Sequence, residues 1–153
     1  MRAKSAAQEI IGKMGLQPHP EGGWYRELWR GEEGPNGRAT ATSIHFLLEA
    51  HQKSHWHTVD AAEIWLWHAG DPLELWLSES DHGPMRSILL GSEVLDGHHL
   101  QHVVNPGEWQ GAKPISGGSA GYTLVSCVVA PGFDFAGFRL AEPGWYPGKD
   151  GAS

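Results

Sequence analysis

Apolar and polar positions alternate in short runs along most of this chain, and a helical period shows only near its start. Ala7, Ile10, Ile11 and Met14 fall at helical spacing. Ser5 and Gln8 stand where a capping box would place them, and Gly15 follows as a stop. A short helix over Ser5–Met14 is therefore predicted. After it, "LQPHPEGGWYREL" has too much Pro and Gly for a helix. Strands are predicted at Trp24–Trp29, Thr40–Leu48, Ser54–Thr58, Glu63–His68 and Leu73–Leu77. Further strands are predicted at Met85–Leu90, Leu100–Val104, Trp109–Lys113 and Tyr122–Val129, the last, "YTLVSCVV", being dense in β-formers. Turn signals such as "AGDP", "SESDHGP" and "NPGE" separate them. Short strands at about ten-residue spacing predict an all-β sandwich or barrel. No repeat or linker divides the chain, so residues 1–153 read as one domain, with "EPGWYPGKDGAS" as a loose tail.

Composition narrows the function classes. The 153 residues are enough for a sizeable core without disulfides or a structural metal. A net charge of -7, with no basic cluster to offset it, argues against nucleic acid and anionic membrane as partners. The single cysteine, Cys127, leaves no disulfide framework. No run of apolar residues is long enough to span a membrane, and "MRAKSAAQEIIGKMG" lacks the core of a signal peptide, so a cytoplasmic location is expected. Ten His and eight Trp are more than a bland scaffold needs and point to a pocket.

The candidate chemistry lies in "SHWHTVDAAEIWLWHAG", residues 54–70. Residues two apart on a strand share a face, so His55 and His57 are expected to project together. Glu63 opens the next strand, within reach of both. Two imidazoles and a carboxylate form a set that suits Fe(II) and related divalent metals. If Glu63 faces the interior, Trp65 and Trp67 do too, as walls of a ligand pocket or as core filling.

Here the chain resembles the cupin barrel. His55, His57, Glu63 and Gly70 match the first cupin motif, with a His-to-Glu gap slightly longer than usual. "NPGEWQ" matches the second in spacing, with Asn105 in place of Pro and Gln110 in place of the third His. The blocks "HPEGGWYRE", "HWHTVDAAEIWLWHAGDPLEL", "VVNPGEWQGA" and "LVSCVVAPGFDFAGFRLAE" tighten the likeness. They resemble the small single-domain cupins of the fifth cupin family, defined as a domain of unknown function, over about residues 7–142. The resemblance implies a jelly-roll β-barrel with a short N-terminal helix, a homodimer, and a pocket trio of His57, Glu63 and Gln110, with His55 added in this chain.

The expected function follows from both readings. The barrel pocket binds a small organic ligand, with His57 and Glu63 as the catalytic candidates. Gln110, Trp65, Trp67, Tyr25, Glu27, His45 and Gln101 are the ligand-binding candidates. His55, His57, Glu63 and Gln110 are the candidate ligands of one divalent metal, Fe, Mn, Ni or Zn. Metal-dependent dioxygenase or isomerase chemistry is one alternative. Another is metal-free acid/base catalysis on a sugar nucleotide, with His57 as base and no partner acid assigned. A storage role ranks last. Cys127 reads as a core residue, and Phe133, Phe135 and Phe138 as edge-strand packing or a dimer contact.

Overall fold

The computed structural model describes residues 3–149. The chain opens with α1 (Ala6–Met14). Ser5 Oγ accepts from the Gln8 N–H at 3.1 Å, and Gln8 Oε1 accepts from the Ser5 N–H at 3.2 Å. This is the capping box legible in the sequence. Ala7 lies against Leu16 and Leu47, so the helix covers one end of a sheet.

Eleven strands follow: β1 (Gln17–Pro18), β2 (Trp24–Arg30), β3 (Thr42–Glu49), β4 (Ser54–Val59), β5 (Ala62–Gly70), β6 (Leu73–Ser78), β7 (Arg86–Leu90), β8 (Gln101–Val104), β9 (Trp109–Pro114), β10 (Tyr122–Ala130) and β11 (Phe138–Leu140). They form a six-stranded sheet in the order β1-β2-β3-β10-β5-β8 and a five-stranded sheet in the order β11-β4-β9-β6-β7. Every pairing within the sheets is antiparallel. The core lies between them. Phe46, Leu48, Trp65, Val125 and Cys127 from the larger sheet meet Leu73, Leu75, Leu77, Leu90 and Ala112 from the smaller one. Among the described residues no helix is long and apolar enough to cross a membrane.

Two expectations are corrected. The sheets do not close into a barrel, so the architecture is a jelly-roll sandwich of two separate sheets. Its edges are short: β8 has four residues and β11 three, too few to carry a ladder around the corner. Only an isolated bridge between Leu90 and His99 forms beside β7 and β8. The tail is also not loose through Lys149. Trp145 packs on Trp109 at 4.5 Å, Pro147 is buried, and the Gly148 N–H donates to Asp81 O at 2.8 Å. Apolar side chains spaced along a Pro/Gly-rich segment anchor it.

Candidate functional site

A cavity of about 230 Å³ opens between the sheets. Inward-facing positions of five strands line it: Tyr25 and Glu27 of β2, Thr42 and Ile44 of β3, His57 and Val59 of β4, Glu63 of β5, Cys127 and Val129 of β10. Two connections complete it. One brings in His19 and Glu21, the other Phe133, Asp134 and Phe135 ahead of β11, whose Phe138 also lines the cavity.

Glu21 enters because of the two glycines after it. Gly22 has φ +112° and Gly23 φ +81°, a region that side-chain-bearing residues rarely adopt. A Cβ on Gly22 would stand 2.1 Å from Lys53 O. The loop can therefore tuck against the sheet only without side chains there. Glu21 then reaches the interior, its side chain 8% exposed. Ser54 Oγ donates to Glu21 Oε1 at 2.7 Å, and Glu21 Oε2 lies 3.1 Å from His57 Nε2.

Proton placement in this pair follows from its contacts. His57 Nδ1 lies 2.7 Å from the carbonyl of His55, which can only accept, so Nδ1 carries the proton. Nε2 is then an acceptor, and the Glu21 carboxyl donates to it when protonated. Burial pushes the Glu21 carboxyl up to about 8, against the opposing hydrogen bond from Ser54. Burial also lowers the proton affinity of His57, opposed by the Glu63 charge and by the His55 carbonyl. At neutral pH the pair is a carboxylic acid on a neutral imidazole rather than an ion pair, as expected where charges lose their hydration.

Glu63 is held from behind. Gln110 Nε2 donates to Glu63 Oε1 at 3.0 Å, and Trp65 Nε1 donates to Gln110 Oε1 at 2.7 Å. The Cys127 thiol also hydrogen-bonds Glu63. Burial, chiefly, raises the Glu63 carboxyl to about 7; His57 opposes the shift and Glu21 adds to it. Burial and both carboxyl groups raise the Cys127 thiol well above its ordinary range, so it is neutral and not a nucleophile. Burial and the nearby His57 lower His19 to about 4. Its Nδ1 accepts from the Glu21 N–H at 3.0 Å.

The structure thus brings His57, Glu63, Tyr25 and Glu27 to one cavity and sets Gln110 and Trp65 behind Glu63. Others of the expected residues lie elsewhere. His55 does not share a face with His57. Ser54 pairs with Ala112 and His57 with Gln110, so β4 has one residue more than β9 over this stretch. This bulge breaks the alternation. The His55 ring turns to Glu142 O, 2.8 Å from Nε2. His45 follows Ile44 on β3 and faces the outer side of the sheet, 3.3 Å from Ser126 Oγ. Gln101 is exposed, because Val104 is the buried end of β8 and sets the opposite parity. Trp67 packs against the core and donates to Asp71 O at 3.0 Å. Glu21, His19 and the phenylalanines of residues 133–138 were not anticipated as site residues. The one signal for Glu21 was an acid held between Pro20 and a Gly pair in "HPEGGW".

The expected metal set does not fit this arrangement. His55 Nε2 is engaged by Glu142 O, Gln110 Oε1 by Trp65 and Glu63 Oε1 by Gln110. Among the described residues no group of three or more His, Cys, Asp or Glu side chains could hold a metal ion.

The sequence model of the cupin superfamily (DUF985) matches residues 8–141. The chain belongs to this cupin family. Two solved structures share that sequence similarity. A hypothetical protein from Leishmania major is 36% identical, with a TM-score of 0.79 over 90% of this cupin and 88% of that chain. A protein from Shewanella oneidensis is 33% identical, with a TM-score of 0.81 over 92% of this cupin and 86% of that chain. A variant of Bacillus subtilis oxalate decarboxylase shares the fold alone, at 15% identity and a TM-score of 0.59 over 82% of this cupin and 29% of that chain. No curated protein matches this cupin in sequence.

Proposed function

We propose that this cupin binds a small organic molecule between its sheets and moves a proton on it. The observation that supports this reading is the convergence of Glu21, His57 and Glu63, all buried, in one cavity. Glu63 holds its proton with an affinity near neutrality, which suits a group that accepts and returns a proton at cellular pH. The Glu21–His57 pair is a second proton station, with its proton on the carboxyl in the resting state. The cavity volume falls below the usual range of about 300–1,000 Å³ for drug-sized ligands, so the bound group is small. A sugar nucleotide would leave its nucleotide outside. Tyr25 lines the same cavity and offers the partner acid that an epimerase-like reaction needs.

Two further parts of the reading are the homodimer and the cytoplasmic location. The feature that favours the first is Val103, 49% exposed on the outer face of the six-stranded sheet. The test of the site is a ligand-stabilisation screen, followed by proton NMR of each hit in D₂O. Raised melting temperature in wild type, with loss of both stabilisation and deuterium uptake in Glu63→Gln, is expected. Hits that stabilise Glu63→Gln and wild type equally would place the ligand elsewhere.

A further inference from the structure

The lining of the cavity is unbalanced in charge. Four carboxyl side chains, Glu21, Glu27, Glu63 and Asp134, face one guanidinium, Arg30. That guanidinium is already committed. Arg30 Nε and Nη2 each donate to Glu27 at 2.9 Å, and its amines reach the Phe133 carbonyl at 3.3 Å. The pair sits at the exposed mouth, with side chains 48% and 36% exposed. Deeper in, Glu21 and Glu63 have no Lys or Arg beside them among the described residues.

The wall between mouth and interior is aromatic. Phe133 meets Phe135 at 4.8 Å and 87°, and Phe138 at 5.6 Å and 60°. Phe135 and Phe138 lie edge to face at 6.0 Å. Tyr25 lines the cavity from the opposite sheet. Phe135 is 59% exposed, so this part of the aromatic wall can be reached from solvent. Aromatic rings around a hollow, with carboxyl groups at its base, are surroundings suited to an organic cation, which a ring face attracts. Once Glu63 and Glu21 have lost their protons, above about pH 7 and 8, a carboxylate would meet like charge at the base of the cavity.

We infer that the cavity selects a small organic ammonium compound, held by the ring faces of Tyr25, Phe133, Phe135 and Phe138 with its charge toward Glu21 and Glu63. This rests on the reading of the cavity as a ligand site and adds the class of ligand. It also sets this cupin apart from a neighbour named for oxalate, which shares the fold only.

Affinity then depends on pH. Binding a fixed positive charge favours loss of the protons on Glu63 and Glu21, whose affinities lie near 7 and 8. Affinity for a quaternary ammonium, which has no proton to lose, rises as pH rises from about 6 to 9. The other charged and titratable groups on the lining do not reverse this. His19 is neutral throughout the window, burial disfavours the charged form of His57, the Cys127 thiol is held protonated, and Arg30 stays charged and paired to Glu27.

The test compares choline, tetramethylammonium, oxalate and 3,3-dimethyl-1-butanol, the uncharged isostere of choline. Titrations by amide NMR at about pH 8.5 and low salt are repeated on Phe135→Ala, exposed enough to fold normally, and on Glu63→Gln. We expect both ammonium ions to shift cavity residues, and choline to bind at least about tenfold tighter than its isostere. We expect both substitutions to reduce that advantage and oxalate to leave the cavity unchanged. Equal affinity for choline and its isostere, or binding of oxalate, overturns the ammonium inference and leaves the ligand site standing. No shift of any cavity residue with all four probes overturns both.

Discussion

At the scale of single residues, the decisive unit is a carboxylic acid facing a neutral imidazole. It makes stability depend on pH with a definite sign. Glu21 and Glu63 bind a proton more tightly folded than unfolded, so their contribution is complete below their ordinary value of 4.5. It is lost as pH rises through about 7 for Glu63 and about 8 for Glu21. His19 and His57 act oppositely, being harder to protonate when folded, and their penalty vanishes once pH exceeds the ordinary imidazole value of 6.5. The two sets oppose each other below pH 6.5. Above it only the carboxyl groups act. Stability therefore falls between pH 6.5 and 8, at about 1.4 kcal/mol per pH unit for each group still titrating. Glu21→Gln, which can still accept from Ser54 and donate to His57, is expected to flatten the part of the fall above pH 7. Denaturant midpoints across that range check this. Gly22→Ala is expected to cost at least about 2 kcal/mol, since its Cβ meets Lys53 O at a strained φ. Thermal unfolding would show it as a drop of about 4–8 °C. His57 and Glu63 were legible in the sequence because a strand pattern and a family likeness both point at them. Glu21 was not, because its position depends on a loop reversal that no periodicity records.

At the scale of elements, the strands were legible and their irregularities were not. The β-rich runs from Trp24 to Val129 set the alternation, and the core follows it. A bulge costs no apolar residue and changes no composition, so nothing in "SHWH" announces that β4 carries an extra residue beside β9. That one insertion separates His55 from His57 and removes the expected metal set. β11 escaped notice because "FRL" is three residues long and polar at its centre; yet its Leu140 pairs with His57. The support behind Glu63 is also a property of elements, since β5 and β9 lie in different sheets and meet through Trp65, Gln110 and Glu63. Trp65→Phe leaves Gln110 Oε1 buried and without its donor. A loss of about 1–3 kcal/mol is expected from that unpaired group alone, and the Glu63 carboxyl should titrate over a wider range in carbon-detected NMR.

At the scale of the whole molecule, the two sheets enclose chemistry at one end and a dry core at the other. Because the sheets stay separate, the cavity can be completed by connections rather than strands: the His19–Gly23 loop on one side and residues 133–138 on the other. The architecture was legible from turn spacing and strand count, whereas the open corner was not, because closure depends on the length of edge strands. The protonation state of the Glu21–His57 pair inside that cavity underlies both the proton chemistry and the pH dependence. NMR of the full chain with ¹⁵N-labelled histidine and ¹³C-labelled glutamate measures it directly. A neutral His57 with its proton on Nδ1 at neutral pH is expected, because burial disfavours its charged form, together with a Glu21 carboxyl that titrates near 8. A charged imidazolium at His57 near pH 6.5, with Glu21 ionising in the ordinary carboxylate range, would contradict it.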